Sequence, residues 1–319
     1  MRPHALCLFV ALVVGFPNVA RAGDNDLVLS RLSIMSDGRP VQDNQAFRSL
    51  ASELGVVIAP KFLAAAESLG YSGFQFSSEI SYTTITSDGD YWCATEESSS
   101  CASDQGKPSG TIPTIGLFVR KGVWLPLPSF EVGAGAFNLV HSRLWAAQVF
   151  AKLALHEGFH DWPLPSLAVR GAASTLVGSE QMSLTVASFD ISVSKPFGIQ
   201  GTVNLEPYAG WNYLWIIPRS EVIDKAVPPE GGTTEFAHVQ FAFAPQQAIT
   251  RSRLFAGFKL KYNVLVFSTE LNVALSGKSI DDTPATQPCG TPAIPLNQCD
   301  AQDRAGTQYT LAASVALGF

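Results

Sequence analysis

Residues 156–160 read His-Glu-Gly-Phe-His, which matches the H-E-x-x-H pattern of zinc proteases. On a helix this spacing places both imidazoles on one face to bind zinc, with the glutamate as general base. Here the pattern ends a segment in which apolar and polar residues alternate, and Pro163 and Pro165 follow closely. A strand would point His156 and Glu157 to opposite faces. We therefore interpret the match as fortuitous and predict no catalytic residue, no metal and no cofactor.

A second group of candidate residues consists of charges on one side of alternating segments. Residues 265–275 alternate in this way, with apolar side chains at odd positions and Glu270 on the other side. Residues 254–262 place Lys259 and Lys261 opposite an apolar set, and residues 203–215 do the same with Glu206. Such alternation over nine to eleven residues is typical of membrane-spanning strands with an apolar outer face and a polar lumen. The predicted inward charges are Glu79, Arg120, Glu131, Lys152, Arg170, Asp190, Glu206, Lys259, Lys261 and Glu270.

Five of these charges are acidic and five are basic, which suggests two uses for them. In a small barrel the interior is barely wider than its side chains. Ion pairs between these side chains would then compensate their charges and seal the lumen, and this is the favoured interpretation. The alternative is a narrow path for ions or small polar solutes, lined by the same residues.

Composition leaves a β-rich globular protein or a transmembrane barrel and opposes intrinsic disorder, a coiled coil and a multispan helical membrane protein. The 319 residues are 46% hydrophobic and only 15% charged, against about 25% charged in ordinary soluble domains. No stretch after residue 22 is long and apolar enough for a membrane helix. Without the two arginines of residues 1–22 the chain has 19 basic and 27 acidic residues, a net charge of −8. Nucleic acid is therefore not expected as a partner.

The start of the chain and its cysteines indicate export. Residues 1–22 combine an early arginine, an apolar run and Ala-Arg-Ala, which predicts a cleaved signal peptide. The four later cysteines form two close pairs in polar stretches, Cys93 with Cys101 and Cys289 with Cys299. In an oxidising compartment each pair is expected to form a disulfide that closes a small surface loop. The spacings differ from those of zinc knuckles.

The C-terminal residues carry the most specific pattern. From residue 309 the chain alternates apolar with small or weakly polar side chains and stops on phenylalanine. This pattern resembles the closing strand of bacterial outer-membrane β-barrel proteins, a class with many unrelated functions. The resemblance implies integral outer-membrane localisation and a membrane-insertion signal read by the assembly machinery. The residues that would form this signal are Tyr309, Leu311, Val315, Leu317 and Phe319.

The same alternation predicts about ten antiparallel strands between residues 71 and 319. Residues 234–244 also alternate and could be an eleventh strand, but bacterial single-chain barrels have even strand numbers. Ten strands leave residues 217–249 as one long loop, and twelve is the alternative. Pro207 falls inside a predicted strand and suggests a bulge there.

Residues 23–70 do not alternate and are predicted to be a helical N-terminal segment. Asp43 and Asn44 are plausible N-cap residues, apolar residues follow at helical spacing, and Gly55 would stop the helix. Pro60 would open a second short helix that runs to Leu69. We expect the segment to lie at the periplasmic rim or to plug the lumen partly, because it is more apolar than a charged lumen would favour.

The sequence thus predicts an all-β, antiparallel transmembrane barrel of a bacterial outer membrane, preceded by a short helical segment. The lipid bilayer is its expected environment, and the sequence leaves its oligomeric state open. The favoured function is a non-enzymatic structural or surface-binding role with a sealed lumen. A narrow porin-like channel is the second alternative and an outer-membrane hydrolase the third.

Overall fold

A computed structural model describes residues 23–36, 39–96, 109–124, 129–157, 164–199, 202–227, 237–246, 248–277 and 303–319. The predicted signal peptide, residues 1–22, lies outside them. Within the described residues, no helix has the length and apolar character needed to cross a membrane.

Ten antiparallel strands form a closed barrel in which each strand pairs with its neighbours, and the ring closes by pairing the strand Val203–Ser220 with the strand Ile249–Tyr262. The strand count of ten is confirmed, and the alternative of twelve is wrong. The barrel strands are β3 (Phe74–Thr84), β4 (Thr111–Val123), β5 (Phe130–Leu139), β6 (Trp145–His156), β7 (Ser166–Val177), β8 (Met182–Ser194), β10 (Val203–Ser220), β13 (Ile249–Tyr262), β14 (Leu265–Ala274) and β15 (Gln308–Gly318). Burial alternates residue by residue along them, as period-two patterning requires.

The remaining described strands lie outside the barrel ring or on its edge. Strands β1 (Ser33–Ser36) and β2 (Arg39–Gln42) pair as a hairpin, and the short strand β9 (Phe197–Ile199) pairs with the start of β10. Strands β11 (Ile223–Val227) and β12 (Ala237–Phe241) form another hairpin. The alternating segment 234–244 therefore does contain a strand, but it pairs outside the barrel and not within it. The predicted single loop 217–249 is wrong to that extent.

The bulge predicted at Pro207 is not found there. Pro207 pairs with Phe258 on one side without a break in register, while the β8 pairing on its other side begins only at Tyr208. A proline is tolerated there because the neighbouring strand has ended and needs no hydrogen bond from it. The register shift occurs instead in β6, between Ala154 and His156.

The lengths of the connections orient the barrel. Connections 124–129, 157–165, 195–202 and 263–264 are short and share one end with Phe74 and Phe319, the ends of the first and last barrel strands. The long connections 85–110, 221–248 and 275–307 share the other end with two short ones. Barrels of the outer membrane have short periplasmic turns and long extracellular loops. The first end is therefore periplasmic and the second extracellular.

The outer wall is apolar between two aromatic belts. Toward the extracellular end the rings of Trp211, Tyr213 and Trp215 contact one another along β10, and Tyr213 and Trp215 meet edge to face with 4.8 Å between their centroids. Tyr82, Trp145 and Tyr309 are exposed toward the same end, and Phe74, Trp124, Tyr262 and Phe319 are exposed toward the periplasmic end. Exposed aliphatic side chains lie between the belts. Such a wall is stable only in lipid, so the protein is integral to the outer membrane.

Among the described residues before the barrel there is one α-helix, α1, Asn44–Ile58. The Asp43 side chain caps it by accepting a 2.8 Å hydrogen bond from the Ala46 N–H, as predicted. Gly55 does not end α1, which continues for three residues. The second helix predicted from Pro60 to Leu69 is wrong, because this stretch is irregular.

All fifteen residues of α1 are buried. The helix lies at the extracellular end of the barrel, between inward residues of β7, β8, β10 and β15 and the connections that cover them, and not at the periplasmic rim. The reason is that the lumen has two halves. Toward the extracellular end most inward positions of β8 and β10 are apolar, for example Leu184, Val186, Leu214 and Ile216, and they pack against the apolar face of α1. Arg251, Thr83 and Gln308 are polar inward residues at the same end. Toward the periplasmic end the inward positions are polar or charged.

Candidate functional site

The lumen and the chain inside it are the candidate functional site. We name residues 44–69 the lumen segment: it consists of α1 and the irregular stretch that follows it. A ten-stranded barrel has little free interior, so the contacts of this segment decide whether the lumen is open.

Eight of the ten predicted inward charges form four ion pairs. Lys152 and Glu131 are 3.1 Å apart, and Arg170 and Asp190 are 2.7 Å apart. The other two pairs are Arg120 with Glu79 at 3.2 Å and Lys259 with Glu206 at 2.9 Å. Lys152, Glu131, Arg170 and Asp190 are almost wholly buried. Ionised groups at such positions require close partners, because burial without them is costly.

The same charges also hold the backbone of the lumen segment. Lys152 donates to the carbonyl oxygens of Ala65 and Glu67 at 3.1 and 2.9 Å. Arg170 donates to the Lys61 carbonyl at 2.7 Å, and Arg120 donates to the Phe62 carbonyl at 3.3 Å. An irregular stretch inside a barrel needs such partners, because its peptide groups do not pair within the stretch.

Glu270 binds no cation within ion-pair distance among the described residues and holds the lumen segment instead. Its two carboxylate oxygens accept hydrogen bonds from the backbone N–H groups of Phe62 and Leu63 at 3.1 and 2.7 Å. The hydroxyl of Tyr208 and the amide of Asn272 donate to the same carboxylate. Lys261, the tenth predicted charge, is exposed at the periplasmic mouth.

Phe62 occupies the middle of the lumen. Its ring stacks on Phe255 with centroids 5.2 Å apart and lies 5.9 Å from Tyr208. The guanidinium carbon of Arg170 is 4.7 Å from its centroid, a cation–π contact. The side chain is buried and fills the centre at the level where the ion pairs begin.

Glu53 joins α1 to the extracellular connections and was not predicted from the sequence. Its fully buried carboxylate accepts hydrogen bonds from the Thr86 N–H and hydroxyl, the Tyr91 hydroxyl and the Trp92 indole, at 2.6 to 2.9 Å. Burial, and then the negative charge of Glu53, raise the pKa of Tyr91, so the phenol remains a donor. Nothing in the local spacing of residue 53 indicated these contacts, because its partners are more than thirty residues away.

A second unpredicted contact lies nearby, where Ser52 of α1 bridges Asp303 and Arg251. The Ser52 hydroxyl donates to Asp303 at 2.7 Å and accepts from Arg251 at 3.0 Å. Burial raises the pKa of Asp303. Arg251 and Arg253 are buried and share the inward parity of Lys259, so the alternation of β13 itself could have identified them.

The H-E-x-x-H residues do not form a described zinc site. His156 ends strand β6, and the Glu157 carboxylate accepts a 2.7 Å hydrogen bond from the Ser68 N–H. Residues 158–160 lie outside the described residues. In the part of the chain that the structure describes, no three His, Cys, Asp or Glu side chains group as a metal site.

The other predicted residues are placed as follows. Cys93 is buried in a short 3-10 turn, Asp90–Ala94, while Cys101, Cys289 and Cys299 lie outside the described residues. Both disulfides therefore stay predictions. The residues of the predicted insertion signal, Tyr309, Leu311, Val315, Leu317 and Phe319, are all exposed on the outer wall at the end of the chain. Recognition by the assembly machinery stays a prediction as well.

Comparisons with known proteins gave only remote structural likenesses. No family model matches the chain, and no curated protein matches it. It is similar to Neisserial surface protein A, with 10% identity, TM-score 0.29, and coverage of 77% of this chain and 96% of that one. It is also similar to the N-terminal β-barrel domain of Pseudomonas aeruginosa OprF, with 8% identity, TM-score 0.24, and coverage of 78% of this chain and 99% of that one. The third is LpxR from Salmonella typhimurium, with 9% identity, TM-score 0.30, and coverage of 76% of this chain and 99% of that one. The closed ring of ten strands and its apolar outer wall make this chain an integral β-barrel protein of the bacterial outer membrane.

Proposed function

We propose that the protein is a non-conducting outer-membrane barrel whose lumen is filled by its own lumen segment, with a structural or surface-binding role. The observation that carries this proposal is the use of the inward charges. Glu270, Lys152, Arg170 and Arg120 all bond to backbone groups of residues 61–67. A solute path would need such charges to face free space.

The extracellular half of the lumen supports the same proposal. There α1 packs against apolar inward side chains, and Phe47 stacks on Phe243 with centroids 4.5 Å apart. Apolar contacts of this kind exclude water, and ions cannot pass without water or polar ligands. The contacts with other molecules would then fall to the extracellular connections and the β11–β12 hairpin.

Single-channel conductance in a planar lipid bilayer tests the proposal. The refolded protein, shown to be folded by its change in gel mobility on boiling, is expected to give no discrete steps. A variant that lacks residues 23–69 serves as the control, because removal of the whole lumen segment is expected to open the lumen and produce steps. Steps from the unmodified protein would overturn the proposal.

A narrow channel remains the second candidate because of one cavity. At the periplasmic mouth, Glu67, Gln75, Asn204, Lys259 and Lys261 line an open polar space between the lumen segment and the wall. If this space belonged to a conducting path, steps from the unmodified protein would change in size or ion preference in Lys261→Glu. The hydrolase alternative has no comparable observation in its favour.

A further inference from the structure

We infer that the chain from Gly23 to Leu69 crosses the outer membrane inside its own barrel, so that residues 23–32 form part of the cell-surface face. The usual arrangement would keep residues that precede the first strand on the periplasmic side. This inference goes beyond the proposed function, since a filled lumen does not require that the segment reach the outside.

The first step is the position of residues 23–32. The Asn25 side chain donates to the Val140 carbonyl at 2.8 Å, and the Leu29 N–H donates to the Gln181 side chain at 2.6 Å. Residues 140 and 181 lie in the connections 140–144 and 178–181, both at the extracellular end. Asp26 further accepts from the Arg143 N–H at 2.7 Å, in the first of these connections.

The second step is the descent of the chain through the lumen. Glu53 of α1 bonds to Thr86, just beyond the extracellular end of β3. The Ile58 carbonyl then accepts from Ser174, which lies toward the extracellular end of β7. Leu63 bonds to Glu270, in the middle of β14. Each contact therefore lies deeper in the barrel than the one before it.

The third step is the arrival at the periplasmic end. Leu69 N–H donates to Glu131, the second residue of β5 from its periplasmic end. The Ser72 carbonyl accepts from Lys121 at 3.0 Å, and Phe74 then pairs with Phe319 through hydrogen bonds of 2.9 and 2.8 Å. The order of contacts along the sequence is the order of depth in the barrel, which is what a chain that crosses the membrane once must show.

Labelling of single cysteines on intact cells tests this inference. Asp24→Cys and Ser72→Cys both replace exposed residues, one at each end of the crossing. With a membrane-impermeant maleimide, Asp24→Cys is expected to react on intact cells, and Ser72→Cys only after the outer membrane is permeabilised. The unsubstituted chain gives the background from its own cysteines.

Two further variants fix the orientation of the barrel independently. Glu180→Cys, in an extracellular connection, should react on intact cells, and Thr202→Cys, in a periplasmic one, should not; both residues are exposed. If Glu180→Cys reacts on intact cells while Asp24→Cys reacts only after permeabilisation, the segment does not reach the surface and the inference is overturned. If instead Thr202→Cys reacts on intact cells and Glu180→Cys does not, the barrel has the opposite orientation and the inference is overturned as well.

Discussion

The Glu270 carboxylate accepts a 2.7 Å hydrogen bond from the backbone N–H of Leu63, across 207 positions of the chain. This contact joins the wall of the barrel to the lumen segment at mid-depth. It also shows that an inward charge can serve a peptide group rather than an opposite charge. We therefore expect the free energy of unfolding to depend on the hydrogen bonds between the barrel wall and the lumen segment.

Removal of this carboxylate should destabilise the folded protein. In Glu270→Ala the N–H groups of Phe62 and Leu63 lose their acceptor inside the barrel, at a cost of about 1–3 kcal/mol for each buried donor. Glu270→Gln keeps one acceptor oxygen and should lose less. Denaturant unfolding in detergent, followed by tryptophan fluorescence, measures the midpoint. The exposed Glu221→Ala is the control, and an unchanged midpoint in Glu270→Ala would contradict the assigned role.

Glu53 should control the order of the first extracellular connection. Its replacement by alanine leaves the Thr86 N–H, the Tyr91 hydroxyl and the Trp92 indole without their acceptor. We expect Glu53→Ala to become sensitive to protease added outside the cell, with cleavage within residues 85–96, the described part that Glu53 holds. Glu180→Ala removes an exposed carboxylate at the same end and should stay resistant. Equal resistance of the two variants would argue against an anchoring role.

The terminal phenylalanine should matter for assembly more than its lipid contact alone explains. Phe319 and Phe74 are neighbours at the periplasmic edge and are both exposed to lipid. If Phe319 belongs to an insertion signal, Phe319→Ser should lower the amount of protein in the outer membrane severalfold, whereas Phe74→Ser should lower it less. Quantitative fractionation of cells measures both. Equal losses would indicate that only the aromatic surface matters.

The disulfide pairing can be read from the intact protein. Mass spectrometry of peptides from the non-reduced protein should show Cys93 linked to Cys101 and Cys289 linked to Cys299. Short loops between nearby cysteines close readily in an oxidising compartment. A link between Cys93 and Cys289 or Cys299 would instead join two separate extracellular connections.

The barrel could be predicted because its information is local. Alternation with a period of two defines each strand and the face it turns to lipid, and the predicted number of ten strands is the observed one. Arg251 and Arg253 were missed only because the same rule was not carried to the first residues of β13. Leu214 and Ile216 likewise lie on the inward parity of β10 and are apolar, so the same rule could have identified the apolar part of the lumen, but it was not applied to them.

The position of the lumen segment could not be predicted in the same way. Whether α1 lies at the rim or in the lumen depends on contacts between residues such as Glu53 and Trp92, or Ile58 and Ser174, that are distant in sequence. The prediction also treated the lumen as uniformly charged. The apolar face of α1 conflicts with a uniformly charged lumen but fits the apolar inward positions of β8 and β10 near the extracellular end.

The short connection between the lumen segment and β3 sets a limit on any movement of the segment. Residues 70–73 are four in number, and four fully extended residues reach about 14 Å. Strand β3 is fixed in the wall by both neighbours, including the last strand of the chain. If the lumen segment lost its contacts with the barrel wall, its C-terminal end would still stay within that distance of the start of β3 at the periplasmic mouth. Its N-terminal end would be limited only by the length of the released chain. The lumen segment would therefore leave the barrel or return to it while it stays attached to β3 at the periplasmic edge.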